Sequence, residues 1–259
     1  MPSKRFRVTV NGFACSAQTW DDSLNRDGKA DEVFIAVGYK RANKSGTILE
    51  SVHPDQTPVM GDTWNIPNRI QVGSAWGDRG GIISGDTYPA QSPWIRSRPL
   101  QDDMNWPPYK VWEGNLTQGE DVVFITPTIW EWDGGKSFWN GLIEWFAQVD
   151  RDLGPKAKEI VSGNFPASKW IFDAAELGIQ ALATAAGMWS VFGEPMTRPI
   201  GTQRHKTDPK GISFNPQILP LTYDRAELLS TTENPNGKGI GEKWPHSFEQ
   251  QPEGFQWTL

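Results

Sequence analysis

The stretch that decides the fold is Val122-Val123-Phe124-Ile125-Thr126-Pro127-Thr128-Ile129-Trp130. Branched and aromatic residues dominate it, and such residues favour a β-strand. Three further runs of this kind are bounded by Gly, Pro, Asn or Asp: Phe6–Val10, Val33–Tyr39 and Tyr109–Glu113. These runs are too short, and too often interrupted by turns, for an α/β fold with crossover helices. The sequence therefore predicts a mostly β protein, and specifically an antiparallel β-sandwich.

The hydrophobic period changes after Lys136. From Ser137 to Leu153 the apolar residues recur every three or four positions, which is typical of an amphipathic helix that Gly154-Pro155 would end. A second helix is expected over residues 168–191, because this range is apolar and rich in alanine. We therefore expect one β-rich domain over residues 1–259, with a helical hairpin inserted at 136–193.

Composition limits the classes of partner and the cell compartment. The formal net charge is −6, which disfavours binding to nucleic acid. Cys15 is the only cysteine, so no intrachain disulfide can form, and a buried structural thiol is expected. The N-terminus lacks the uninterrupted apolar run of a secretory signal. We expect a cytoplasmic protein, or one released without a cleaved signal peptide.

An acidic segment directly precedes the strand at Val33. It reads Asp21-Asp22-Ser23-Leu24-Asn25-Arg26-Asp27-Gly28-Lys29-Ala30-Asp31-Glu32. Ca²⁺ takes oxygen ligands, and a glycine permits the sharp bend of a calcium loop. An EF-hand is excluded, because Phe34 stands where that loop has a bidentate Glu. The candidate ligands are side-chain oxygens and, for the lysine, the main-chain carbonyl: Asp22, Asn25, Asp27, Lys29, Asp31 and Glu32.

A second acidic pair follows the strand that ends at Trp130. Glu131 and Asp133 are two residues apart, so they share one face of a strand, and two glycines then open a loop. Two carboxylates in this position can meet the first acidic segment and add to its ligand shell. Glu131 and Asp133 therefore join the candidate calcium ligands. The alternatives are a plain hairpin turn at Asp27-Gly28 and a strand end that Glu131 and Asp133 only make soluble.

Two resemblances support the calcium interpretation. Residues Asn25-Arg26-Asp27-Gly28-Lys29-Ala30-Asp31 resemble the DxDxDG-type calcium loops of extracellular β-propeller repeats. With Glu131 and Asp133, the chain also looks like a divergent C2-type sandwich, in which an acidic loop after an early strand meets a second acidic pair at a later strand end. Residues 196–201 are weakly similar to the turn after that second loop. The C2 likeness implies metal-ligand roles for Asp22, Asp27, Asp31, Glu131 and Asp133.

The function favoured by these patterns is calcium-dependent binding. The partner would be a membrane surface, a glycan or another protein. An ion with open coordination positions would bridge to an anionic ligand, whereas a closed shell would only order the loops.

Two other functions stay open. A toxin-like lytic protein would store the helices at 137–153 and 168–191 against the sheet and release them on contact with lipid. Its candidate membrane contacts are four of the fourteen tryptophans: Trp139, Trp145, Trp170 and Trp189. A carbohydrate-active hydrolase would combine Glu131 and Asp133 with Glu113 or Asp86. An enzyme is less favoured, because the chain has no HExxH, GxSxG, Walker or CxxC motif.

Overall fold

The computed structural model describes residues 1–16, 31–61, 69–71, 81–88, 95–96, 105, 107–137, 143, 146, 150–163, 172–173, 196–200, 203–204, 212–213, 217–231, 247–250 and 255–258. Its strands are β1 Ser3–Val10, β2 Phe13–Cys15, β3 Val33–Asn43, β4 Ile48–Gln56, β5 Val59–Met60, β6 Arg69–Gln71, β7 Thr87–Tyr88, β8 Ile95–Arg96, β9 Tyr109–Thr117, β10 Asp121–Ser137, β11 Phe172–Asp173, β12 Met196–Pro199, β13 Gln203–Arg204, β14 Ile212–Ser213, β15 Gln217–Thr222, β16 Ser247–Gln250 and β17 Phe255–Thr258. Its helices are α1 Asp150–Val161 and α2 Tyr223–Thr231.

The predicted mostly β class is confirmed. Each of the four predicted strands is present and longer than expected, as β1, β3, β9 and β10. The strands pair antiparallel throughout the described part of the chain, except for the short parallel pair β5–β6.

The central pair is β3 with β10. Its register is continuous from Asn43 opposite Asp121 to Val33 opposite Glu131. The far edge of β10 pairs with β15 near its start and with β12 near its end. The far edge of β3 pairs with β4 and β5. The two longest strands therefore lie in the middle of the largest sheet. The end of β3 coincides with the start of β10, and β10 continues past the start of β3 to Ser137.

A second layer covers one face of this sheet. It contains the antiparallel ribbon β1–β9 and a four-stranded sheet in the order β16-β17-β2-β7. Alternate residues of the central strands point into the space between the layers, as the two-residue period of a strand requires. These residues and their partners form one apolar cluster that includes Val33, Ile35, Val37, Val123, Ile125, Ile129, Phe6, Trp112 and Leu116. The result is an antiparallel β-sandwich.

The other face of the central sheet packs on α1. The helix buries Leu153, Ala157 and Ile160, and it contacts β3, β10 and β15. The sheet contributes Phe34 and Trp130, whose rings stack with centroids 5.6 Å apart. Both faces of the central strands are therefore buried, one on the second layer and the other on the helix.

The predicted bounds of the helical hairpin are wrong in three places. Ile143, Phe146 and residues 150–153 are helical as predicted. However, Ser137 is the last residue of β10, and the described helix Asp150–Val161 continues beyond Leu153. Residues 172–173, inside the predicted second helix, form β11 and pair with β15. The rest of the predicted range 168–191 lies outside the described residues.

Gly154 has a packing role in place of the predicted helix stop. A Cβ on this residue would lie 2.6 Å from the carbonyl oxygen of Gly46, in the turn between β3 and β4. The glycine lets the helix main chain approach that turn closely. A glycine that serves close approach has the same sequence signature as one that ends a helix, and this explains the error.

Candidate functional site

The register of β3 and β10 brings the two acidic segments side by side. Glu131 lies opposite Val33, and the next main-chain contact is the Trp132 N–H, which donates to the Glu32 carbonyl oxygen at 2.6 Å. The residues that precede β3 thus lie beside Glu131 and Trp132 of β10, which the sequence separates from them by about a hundred positions.

Three carboxylates in this region are buried. The exposed fractions of Asp31, Asp86 and Glu131 are 6 %, 3 % and 5 %. Asp31 exchanges two main-chain hydrogen bonds with Ile82, at 3.2 and 2.7 Å, so residues 81–88 lie alongside the start of β3. This region, defined by Asp31, Asp86, Glu131 and the neighbouring Cys15, is called the acidic end below.

Asp86 is held in place by its own turn. Its Oδ2 accepts a hydrogen bond from the Ile83 N–H at 2.9 Å. Its carbonyl oxygen accepts from the Cys15 N–H, also at 2.9 Å. The metal hypothesis omitted Asp86, because it stands alone in a Gly-rich stretch and only the fold brings it to the acidic end.

Cys15 lies within the electrostatic reach of two of these carboxylates. Burial raises the pKa of its thiol strongly, and the negative charges of Asp31 and Asp86 raise it further. The predicted buried thiol is confirmed. Because only the thiolate is a good metal ligand, the neutral Cys15 leaves carboxylate oxygens as the chemistry available here. Oxygen donors suit hard cations such as Ca²⁺ rather than thiolate-binding metals.

The described side chains alone do not complete a metal shell. Among them, no three His, Cys, Asp or Glu groups lie close enough together to hold a metal ion. The predicted ligands Asp22, Asn25, Asp27 and Lys29 lie outside the described residues, and of Asp133 only the main chain is described. Ca²⁺ takes six to eight oxygens, so a calcium site at the acidic end would also need ligands from residues 17–30.

Glu113, a candidate partner in the hydrolase hypothesis, faces away from the core. Its neighbour Trp112 is buried in the core, so Glu113 points to the outer face of the β1–β9 ribbon. A hydrogen bond from Arg7 holds the pKa of Glu113 below its usual value, and Arg5 and Lys110 act in the same direction. A lowered pKa does not suit Glu113 to the role of the protonated acid of a glycosidase and would leave it only the role of the ionised base or nucleophile.

The membrane-contact candidates Trp139, Trp145, Trp170 and Trp189 lie outside the described residues. In the part of the chain that the structure describes, no helix is long and apolar enough to cross a membrane.

No family model, curated protein sequence or solved structure matches this chain.

Proposed function

We propose that the protein is a calcium-dependent binding module whose ion site lies at the acidic end. One observation carries the proposal: the hydrogen bond from the Trp132 N–H to the Glu32 carbonyl oxygen, which aligns the two acidic segments at one end of the central strand pair. The segment at 21–32 and the pair Glu131 and Asp133 then supply one site from two distant parts of the sequence.

Electrostatics favour a divalent cation in this position. Like charges that are removed from water repel each other more strongly than they do at the surface, because the local dielectric constant is lower. Asp31 and Asp86 are both buried and both act on the same thiol, so they share one low-dielectric region. A bound Ca²⁺ would offset the cost of holding several carboxylates there.

The ion would connect the sandwich to its partner. An anionic membrane surface, a glycan or an acidic protein segment would fill coordination positions that the chain leaves open. Divalent ions at a strand end can bridge in this manner when the protein supplies only part of the shell.

Calorimetric titration of Ca²⁺ into chelator-treated protein tests the proposal. We expect a saturable heat for the wild type and its loss in the double variant Asp31→Asn, Glu131→Gln. The matched control is Glu120→Gln, which removes a carboxylate from the turn between β9 and β10, at the other end of the central pair. The absence of a saturable heat in the wild type at millimolar Ca²⁺ would refute the proposal.

The partner class is tested once binding of calcium is measured. Sedimentation with vesicles that contain phosphatidylserine should retain the protein in Ca²⁺ and release it on addition of chelator. Glycan arrays and pull-down with acidic peptides, each with and without Ca²⁺, distinguish the remaining partner classes.

A further inference from the structure

The outer face of the β1–β9 ribbon carries three positively charged side chains around one carboxylate. Glu113 Oε1 lies 3.2 Å from both Arg5 Nε and Arg7 Nη2. Glu113 Oε2 lies 3.6 Å from Lys110 Nζ. This cluster is called the basic face below. Its three positive charges and one negative charge leave a net charge of +2, on a chain whose net charge is −6.

The cations of the basic face are open to solvent and keep most of their hydrogen-bonding capacity. The side chains of Arg5, Arg7 and Lys110 are 71 %, 62 % and 59 % exposed, whereas that of Glu113 is only 16 % exposed. A guanidinium has five N–H donors in a planar fork. Within the described residues, Arg5 contacts the carboxylate through Nε and Arg7 through Nη2. The other nitrogens of both guanidinium groups are therefore available to an incoming anion.

These cations form a stripe along the ribbon. Arg5 and Arg7 share one face of β1 and stand about 7 Å apart along the strand, because successive side chains alternate between the two faces. Thr9 is the next residue on that face, and Lys110 stands opposite it on β9. The stripe therefore spans about 13 Å, with a positive charge near each outward position of β1. Such a stripe matches a linear ligand that carries several anionic groups in a row.

We propose that the basic face binds a sulfated glycan, through a contact that does not involve calcium and goes beyond the proposed calcium-dependent binding. Guanidinium forks donate paired hydrogen bonds to oxyanions, and lysine adds a point charge. A sulfated glycan carries its oxyanions at intervals along an extended chain, so that several of them can reach the stripe at once. Clusters of lysine and arginine are a known signature of surfaces that bind such polyanions.

The chemistry of the basic face favours a glycan over other polyanions. The main chains of β1 and β9 pair with each other, so an acidic peptide laid across this face cannot add to the sheet as a strand. Single-stranded nucleic acids stack their bases on aromatic side chains, but Phe6 and Trp112 are buried beneath the ribbon. The outward positions of both strands are polar, which gives a lipid surface no apolar anchor.

Calorimetric titration with a heparin-derived octasaccharide, in the presence of chelator, tests the inference. We expect saturable binding that weakens as salt is added, because salt screens contacts between exposed charges. The desulfated octasaccharide should not bind. The triple variant Arg5→Gln, Arg7→Gln, Lys110→Gln should bind about tenfold more weakly than the wild type. Glu113→Gln should bind more tightly, because it removes the negative charge from the basic face, and damage to the fold cannot produce this result.

The matched control changes three lysines outside the basic face to glutamine: Lys44, in the turn between β3 and β4, and Lys156 and Lys158 of α1. This variant has the same net charge as the first triple variant and should bind the octasaccharide as the wild type does. Circular dichroism should verify that both variants fold. No binding by the wild type, equal losses in the two triple variants, or equally tight binding of poly-glutamate would each overturn the inference. Because chelator is present, each of these results leaves the calcium proposal standing.

Discussion

The two ends of the β3–β10 pair hold their carboxylates in different ways. Where β10 begins, Asp121 Oδ2 lies 2.9 Å from Arg41 Nη2 and also accepts a hydrogen bond from the Thr117 N–H. This region is called the paired end. Where β3 begins, at the acidic end, Asp31 and Asp86 both raise the pKa of the same thiol, and Glu131 is buried on the adjacent strand.

The carboxylate at the paired end has a structural role, whereas we propose a binding role for the carboxylates at the acidic end. At the paired end a carboxylate joins a guanidinium on β3 to the turn between β9 and β10, and so fixes that turn. At the acidic end Asp31 and Asp86 act on the same thiol and Glu131 is buried on the adjacent strand, and we propose that a cation joins them with ligands from residues 17–30. Variants at the two ends should therefore respond differently to mutation, to pH and to calcium.

The largest effect is expected from Asp121→Ala at the paired end. The change removes the partner of a partly buried Arg41 and leaves the Thr117 N–H without its acceptor. We expect the free energy of unfolding to fall by about 2–4 kcal/mol, measured by urea denaturation. Glu120→Ala is the control in the same turn, because its ion pair with Lys44 is exposed and should be worth less than about 1 kcal/mol. An equally small fall in unfolding free energy in both variants would show that the contacts of Asp121 with Arg41 and Thr117 do not stabilise the fold.

A smaller effect is expected from Gly154→Ala, where α1 meets the turn beside the paired end. The new Cβ would lie 2.6 Å from the Gly46 carbonyl oxygen, so the helix must shift away from the sheet. We expect a loss of about 1–3 kcal/mol of unfolding free energy, although alanine is the better helix former. Lys158→Ala, at an exposed position of the same helix, should change stability little. A stabilised Gly154→Ala would contradict the close helix contact.

At the acidic end, Cys15 should make stability depend on alkaline pH. Its pKa is raised in the folded state, so the folded protein keeps this proton while the unfolded chain loses it above about pH 8.5. The free energy of unfolding therefore falls as the pH rises, and this group lowers it by about 1.4 kcal/mol at pH 9.5. Urea denaturation of the wild type and Cys15→Ala at pH 7.5 and 9.5 checks this. Between these two pH values, the free energy of unfolding should fall by about 1.4 kcal/mol less in Cys15→Ala than in the wild type. An identical fall in the two proteins would contradict the raised pKa of Cys15.

The strands could be predicted because each carries a local signal. Branched and aromatic residues mark Val33–Tyr39 and Val122–Trp130, and these runs are long enough to be assigned without knowledge of the fold. Their pairing was not predictable to the residue, since it depends on the whole register. The end of β10 extends to Ser137 because β12 pairs with it, a tertiary contact that overrides the helical period seen after Lys136.

The helices were harder to predict for a similar reason. The pattern over residues 168–191 is helical, yet Phe172–Asp173 pairs with β15, which no local signal reveals. Helix α2 went unpredicted, although Thr222 accepts a hydrogen bond from the Arg225 N–H and Asp224 lies in the first turn, both typical signs of a helix start.

The residues of the candidate site likewise divide into those that a local sequence pattern indicates and those that only the fold brings together. Asp31 could be named from the sequence because it belongs to a dense acidic run, and Glu131 because it forms an acidic pair with Asp133. Asp86 and Cys15 could not be joined to them, because they come from separate strands and turns that only the sandwich brings together.

The central claim is that calcium binds at the acidic end and not at the paired end. Thermal melting of variants at the two ends, with and without calcium, tests it most directly. The wild type, Asp31→Asn and Asp121→Asn are melted in chelator and in millimolar Ca²⁺. A ligand that binds only the folded state raises its melting temperature. The account predicts a calcium-dependent rise in the wild type and in Asp121→Asn, which starts from a lower value, and no rise in Asp31→Asn. An unchanged wild type, or a full rise in Asp31→Asn, would contradict it.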